Sequence, residues 1–129
     1  DATLATLTQP MPASELAELY QSSAVVHLVG GNAPAAMASV AQALVMDPHA
    51  KPLPELGPEY AKLHKAVANA DALRDVTVHV QGQGHALLSG TPVSEGAMVV
   101  AGRHLLQIER GGQWTSQLVW VQDGFTVQL

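Results

Sequence analysis

The sequence has no cysteine and few aromatic or charged side chains. Because none of its 129 residues is Cys, disulfides, thiolate metal sites and cysteine nucleophiles are excluded. Hydrophobic residues make up 47% of the chain but aromatic residues only 4%. A core must therefore be built mainly from Ala, Val and Leu. The length fits one domain, or two small units that share an interface.

Positive charge and long apolar runs are also scarce. Lys and Arg total 6, no two of them are adjacent, and the net charge is −5. Nucleic acid is therefore not an expected partner, since phosphate binding relies on clustered basic residues. The apolar stretch from Ala24 to Val29 is interrupted by His27 and falls far short of the ~20 residues that span a bilayer. We expect no membrane-spanning segment.

The chain begins at Asp1, without Met and without a basic segment before an apolar one. A cleaved signal peptide and an excised fragment would both look like this, and we favour the signal peptide. The expected location is then outside the cytoplasm, in the periplasm or at the cell surface.

The first half has the pattern of helices. Residues 1–12 are expected to form an extended lead-in, and residues 13–72 a helical hairpin or three-helix unit. Ser14 is the predicted N-cap of the first helix, and Asn32 caps the second after Gly30-Gly31. Asp47-Pro48 should end that second helix. The predicted faces are Leu16, Leu19, Tyr20, Ser23 and His27 in the first helix; Met37, Val40, Ala41 and Leu44 in the second; and Tyr60, Leu63, His64 and Val67 in a third, from about Glu59 to Ala70.

From Asp75 the apolar period changes to two, as in Val76, Val78 and Val80. Residues 73–129 are therefore expected to form a small antiparallel β-sandwich, which makes the fold class α+β. Gly111-Gly112 predicts a hairpin turn. Trp120 shares its face with Leu118 and should be buried. The boundary between the halves is placed at Ala70 to Arg74.

Two stretches resemble known families. Asn32 to Pro48, with Ala35-Ala36, Ala41-Gln42-Ala43-Leu44 and Asp47-Pro48, resembles the second helix of a tetratricopeptide repeat. From Val76 to Leu129 the chain resembles a PEGA-type β domain, and the matching motifs are Leu88-Ser89-Gly90-Thr91-Pro92, Gly102-Arg103-His104, Gly111-Gly112-Gln113-Trp114 and a final hairpin at Asp123-Gly124. The eponymous Pro-Glu-Gly-Ala is missing; Gln81-Gly82-Gln83-Gly84 stands near its place, and Ser94-Glu95-Gly96-Ala97 gives a second register. The resemblance implies a sandwich-like fold, an envelope location and no catalytic residues.

Six histidines raise the hypothesis of a metal site. His79 and His85 could face each other on adjacent strands, with His104 as a third zinc ligand. No His-x-His occurs, however, and we favour the reading in which His79 and His85 face solvent and the His104 ring caps a backbone group. We expect no metal and no cofactor.

No catalytic residues are predicted. Ser89-Gly90 and Ser94-Glu95-Gly96 do not form Gly-x-Ser-x-Gly, and turn chemistry explains both serines. Gly82-x-Gly84 lacks the rest of a dinucleotide-binding loop.

The expected function is protein binding or self-assembly through the β half. The final strand, Phe125 to Leu129, could leave its edge open to a partner strand. The candidate interaction residues are Gln113, Trp114, Gln117, Phe125, Thr126 and Gln128. A carbohydrate- or peptidoglycan-binding module is the alternative, and a glycan partner would need Trp114, Gln113 and Gln117 on one exposed face. The second alternative is a metalloprotein or enzyme that uses the histidines.

Overall fold

A computed structural model describes residues 4–69 and 73–129. Helices occupy its first half and strands its second, so the predicted α+β class is confirmed. The helices are Ala13–Val29 (α1), Ala33–Met46 (α2) and Pro58–Ala68 (α3). The strands are Asp75–Gln81 (β1), His85–Leu88 (β2), Thr91–Pro92 (β3), Ala97–Val100 (β4), Gly102–Arg110 (β5), Gln113–Val121 (β6) and Thr126–Gln128 (β7).

The first two helices form a hairpin. Asn32 caps α2 as predicted, because its side-chain oxygen accepts a hydrogen bond from the Ala35 N–H at 3.2 Å. The prediction of Ser14 as N-cap is wrong: α1 begins at Ala13, and the preceding Pro12 makes no side-chain cap. The core of the helical unit is the buried set Ala24, Val40, Leu44 and Tyr60.

The predicted face of α2 is displaced in part. Met37 is 50% exposed, and Ala36 is buried in its place. Met37 is apolar but lies one position away from the buried face of α2, so the sequence pattern assigned it to that face incorrectly. Asp47 ends the helix, as predicted.

The strands form two sheets that share an apolar core. One sheet has the order β4-β1-β7 and the other the order β3-β2-β5-β6. The first sheet contributes three buried valines to this core, Val76, Val78 and Val127. The second sheet contributes Ala86, Leu88, Leu106, Ile108 and Val121. The Gly111-Gly112 hairpin joins β5 to β6, as predicted.

The prediction of a final hairpin at Asp123-Gly124 is wrong. Strand β7 does not pair with β6 but crosses to the other sheet, where it lies parallel to β1, with Val127 beside Val80. The sandwich is therefore mixed and not purely antiparallel. Local turn residues indicate where a chain bends, and they do not indicate which strand it meets next.

The lead-in is part of the packed structure. Leu4–Thr6 form a short 3-10 helix where an extended lead-in was predicted, and residues 1–3 lie outside the described part of the chain. Leu4 is buried with Leu16, Met46 and Leu105, in a cluster with members from the lead-in, both hairpin helices and β5. This cluster packs the helical unit onto the outer face of the four-stranded sheet.

The predicted boundary at Ala70 to Arg74 falls partly outside the described residues, which omit 70–72. On either side, α3 ends at Ala68 and β1 begins at Asp75. Within residues 4–69 and 73–129, no helix has both the length and the apolar character needed to cross a membrane.

Candidate strand-edge interface

The outer edge of β7 carries backbone groups that pair with no other strand in the part of the chain that the structure describes. The His79 N–H donates to the Phe125 carbonyl at 2.9 Å, and the Leu129 N–H donates to the Gln81 carbonyl at 2.9 Å. Because ladder bonds alternate along a strand, residues 125, 127 and 129 face β1 and residues 126 and 128 face outward. Strand β7 is also an edge strand of its sheet, with β1 as its neighbour. Its outward main-chain groups are therefore open at Thr126 and, in part, at Gln128.

One arginine and two glutamine side chains form hydrogen bonds along this edge. The Arg110 guanidinium donates to the outward carbonyl of Gln128 at 3.0 Å. The Gln128 side-chain amide donates to the Gln81 side-chain oxygen at 3.1 Å. Thr126 and Gln128 are exposed, whereas Val127 is 1% exposed and belongs to the core.

A cleft of about 240 Å³ lies beside the same edge, where the two sheets separate. Its floor includes Leu106 and Ile108, and its rim includes Arg110, Gln117 and Gln128. The fold thus brings together two of the predicted interaction residues, Gln117 and Gln128, from different sheets. Arg110 was not predicted, and no sequence signal marks it, because its role depends on β7 crossing between the sheets.

The other predicted residues are placed differently. Gln113 and Gln117 are exposed on one face of β6, and Trp114 is half-buried on the opposite face, because side chains alternate along a strand. Phe125 is half-buried against the sandwich core. The single exposed face of aromatic and amide groups that the sugar-binding alternative needs is therefore not formed by these three β6 residues.

Trp120 contradicts its predicted burial, because it is 67% exposed. Leu118, on the same face, packs against the cluster that joins helices and sheet. Leu118 and Trp120 do share a face of β6, as predicted. The helices and the lead-in bury this face at Leu118 but do not reach Trp120.

His104 has the predicted role of capping a backbone group. Its Nε2 donates to the Val100 carbonyl at 2.6 Å, and its Nδ1 accepts from the Ser89 hydroxyl at 2.9 Å. The Ser89 oxygen accepts in turn from the Leu105 N–H at 3.2 Å. Burial lowers the pKa of His104 below its ordinary value, while the hydrogen bond to Val100 acts in the opposite direction.

The Ser89–His104 pair has the contact distance of a nucleophile and its base. However, Ser89 is 0% and His104 3% exposed, so a substrate has no access to the hydroxyl. The geometry instead ties the turn after β2 to the corner between β4 and β5.

The three histidines of the zinc hypothesis lie apart. His79 and His85 are exposed, as expected, but they belong to different sheets, and His104 is buried. His79 Nδ1 lies 2.9 Å from the Glu95 carboxylate, which also accepts from the Val80 N–H at 2.8 Å. These two hydrogen bonds lower the pKa of Glu95. In the described part of the chain, no three His, Asp or Glu side chains are grouped to hold a metal ion.

A larger cleft, of about 360 Å³, lies where α2 ends against the sandwich. Its walls include Val45, Met46, Leu88 and His104, and its rim includes Asp75. Sequence reasoning missed it, since its walls come from segments that are distant in the chain.

Comparisons with known proteins add no relative: no protein-family model, curated protein or solved structure matches this chain. The resemblances to a PEGA-type domain and a tetratricopeptide repeat therefore stay hypotheses.

Proposed function

We propose that this protein is a non-catalytic interaction or assembly subunit of the bacterial envelope. It binds an extended segment of a protein partner, or of a second copy, as an added strand on β7. The envelope location rests on the PEGA-type resemblance. The observation that carries the binding mode is the outer edge of β7, where no strand of the described residues pairs with Thr126 or Gln128.

An added strand satisfies main-chain groups that otherwise face water. Strand addition draws its affinity from main-chain hydrogen bonds, and pockets for alternate side chains give it specificity. The cleft next to β7 supplies one such pocket, with an apolar floor at Leu106 and Ile108. This combination supports a polypeptide in extended conformation as the ligand.

Arg110 regulates access to the edge in this proposal. By donating to the Gln128 carbonyl, its guanidinium occupies the acceptor that a partner strand needs. A charged side chain on an exposed edge is a common means of limiting unwanted strand pairing. A partner must therefore displace Arg110, and a partner carboxylate beside the edge would compensate for that displacement.

Amide hydrogen exchange tests the binding mode at single residues. In the free protein, the outward N–H groups of Thr126 and Gln128 should exchange quickly, and those of Val127 and Leu129 slowly. When a partner from the native envelope is bound, or when the chain self-associates at high concentration, Thr126 and Gln128 should become protected. A complex that leaves both outward amides exchanging at the free rate would show that β7 is not the interface.

Proline substitution supplies the matched genetic test. Thr126→Pro removes an outward donor without removing a hydrogen bond to β1, whereas Thr126→Val retains the donor and changes only the side chain. We expect Thr126→Pro and Gln128→Pro to abolish binding and Thr126→Val to retain it. Size-exclusion chromatography measures binding, and circular dichroism checks that the helices persist.

Trp114→Ala tests the contribution of the hairpin turn separately. If the indole is a hot spot, its removal should weaken binding by ~1–3 kcal/mol. Because Trp114 faces away from the cleft, unchanged binding in this variant would confine the interface to β7 and the cleft.

A further inference from the structure

The three-stranded sheet has a second edge at β4, on the side opposite to β7. The Ala101 N–H donates to the carbonyl of Arg74, just before β1, at 2.8 Å. Because the direction of main-chain groups alternates along a strand, residues 99 and 101 face β1, and residues 98 and 100 face away from it. No strand of the described residues pairs with this outer side of β4.

One part of this edge is closed and the other is open. At Val100, the His104 Nε2 donates to the outward carbonyl at 2.6 Å. At Met98, neither outward main-chain group has a partner in the described part of the chain. The Met98 side chain is also 63% exposed. An exposed apolar residue with unpaired main-chain groups on an edge strand is a template for pairing with another chain.

The cleft of about 360 Å³ at the end of α2 lies beside the same edge, since Met98 and Val100 are among the residues that line it. Val45, Met46 and Leu88 give it apolar walls. Its volume falls in the range of pockets that hold small molecules, so it accommodates a large apolar side chain. The edge and the cleft together supply the two elements of strand addition, which are main-chain hydrogen bonds and a pocket for a side chain.

Asp75 determines the charge that this cleft favours. Apart from two histidines, it is the one ionisable residue among those that line the cleft. Asp75 is exposed and forms no ion pair within the described residues. A basic side chain at the cleft therefore finds a carboxylate with which to pair. The net charge of −5 acts in the same direction, because it attracts cationic segments and repels a second copy of this chain.

We propose that the edge of β4 and this cleft bind an extended polypeptide segment of another protein, one that carries an apolar residue and a basic residue two positions apart. The segment exchanges main-chain hydrogen bonds with Met98, its apolar side chain contacts the cleft walls, and its basic side chain pairs with Asp75. Residues two positions apart in a strand share a face, which allows both side chains to reach the cleft. The site does not depend on the β7 interface. The two edges flank one sheet, so a single molecule can hold two added strands.

Isotope-labelled methionine methyl groups report on the cleft directly in NMR spectra. Of the 4 Met residues, Met46 and Met98 line the cleft, whereas Met37 does not and is the internal control. The probe is the peptide acetyl-Thr-Leu-Thr-Lys-Thr-amide, which should shift the Met46 and Met98 resonances and leave Met37 unchanged. Replacing its Lys by Glu should weaken binding about threefold or more. Replacing its Leu by Ser should weaken binding about tenfold or more. If either replacement leaves the affinity unchanged, the proposal is wrong.

Variants of the protein test the same contacts from the other side, with the Met46 resonance as the reporter. Asp75→Asn should abolish the preference for the Lys peptide over the Glu peptide. Met98→Pro removes the outward donor without removing a hydrogen bond to β1, so it should abolish binding, whereas Met98→Leu should retain it. Asp75→Asn decides the assignment even if Met98→Pro does not fold, because a preference that survives this change contradicts the proposed pair.

Amide hydrogen exchange separates this site from the β7 interface. The peptide should protect the Met98 N–H and leave the Thr126 N–H exchanging at its free rate. Thr126→Pro should bind the peptide as the parent does, so failure of the β7 proposal would leave this result unaffected. Protection of Thr126 in place of Met98 would place the peptide on β7 and overturn the assignment of a site at β4.

Discussion

Two buried glutamines hold irregular parts of the chain in place. Gln107 is 0% exposed; its amide nitrogen donates to the Gln9 carbonyl at 2.7 Å, and its oxygen accepts from the Met11 N–H at 2.9 Å. Gln21 is 1% exposed and bonds in the same way to the Lys51 carbonyl and the Leu53 N–H. A side-chain amide carries both a donor and an acceptor. Each glutamine can therefore form hydrogen bonds with a backbone N–H and a backbone carbonyl of a segment that is neither helix nor strand.

Gln107→Met should therefore be strongly destabilising. The methionine fills a similar volume but leaves the Met11 N–H and the Gln9 carbonyl without partners, at a cost of about 1–3 kcal/mol for each. Chemical denaturation measures the loss. The control is Gln113→Met at an exposed position of β6, where the free energy of unfolding should change by no more than ~0.5 kcal/mol. Equal effects in the two variants would contradict the bridging role of Gln107.

His104 should make stability depend on pH. Its folded-state pKa lies below the ordinary 6.5, so at pH values between the two the unfolded chain binds more protons than the folded one. The stabilisation from neutral His104 is complete above about pH 6.5 and declines as pH falls toward the folded-state pKa. Denaturation at pH 7.5 and pH 5.5 measures this decline. His104→Gln should have a shallower pH dependence than the parent, and an unchanged slope would contradict this assignment.

At the scale of elements, glycines allow close contact between the two halves. A Cβ on Gly90 would clash with the Ala13 nitrogen and would lie 2.6 Å from the Met11 carbonyl oxygen, so the turn before β3 docks directly on the start of α1. At Gly102 a Cβ would lie 2.9 Å from Val45, which shows α2 packed tightly on the start of β5.

Gly90 and Gly96 form a natural pair for testing this docking. Their φ angles are +80° and +84°, so alanine brings similar backbone strain at both, of about 1–3 kcal/mol. Only Gly90 has backbone atoms in the way, since nothing lies within 4 Å of a Cβ on Gly96. Gly90→Ala should therefore cost about 2 kcal/mol or more beyond Gly96→Ala, measured by thermal or chemical unfolding. Similar losses would mean that α1 is not docked on this turn.

At the scale of the whole molecule, the two halves share a core. Leu4, Leu16, Met46 and Leu105 bury apolar surface against one another across the junction. Burial of each such side chain contributes about 1.5–3 kcal/mol, so neither half keeps its full stability alone.

We therefore expect the halves to unfold together. Circular dichroism at 222 nm follows the helices, and tryptophan fluorescence follows the β half, because Trp114 and Trp120 both lie on β6. The two unfolding curves should coincide, and Leu105→Ala should shift both by a loss of about 2–5 kcal/mol. Leu19→Ala, at a position that is 41% exposed, is the control with little effect. Separate transitions would show two independently folding units.

The sequence by itself determined the class of each segment. Helical spacing, the Asn32 cap and the Asp47-Pro48 ending are local signals, and they predicted α2 closely. Alternating apolar residues and the Gly111-Gly112 turn predicted the strands and the hairpin between β5 and β6. Such signals act within a few residues along the chain, so no knowledge of distant contacts was needed.

Only the tertiary structure decided which segments meet. The crossing of β7 to β1, the docking of the lead-in on Gln107 and the exposure of Trp120 all depend on contacts between distant residues. The candidate interface follows the same division: Thr126 and Gln128 were predicted from their terminal strand, whereas Arg110 became apparent only through its bond to Gln128. The local sequence pattern permits several pairing partners for each strand and for each apolar face. Tertiary packing selects among these partners, because the free energy of burial depends on which residues cover the apolar surface.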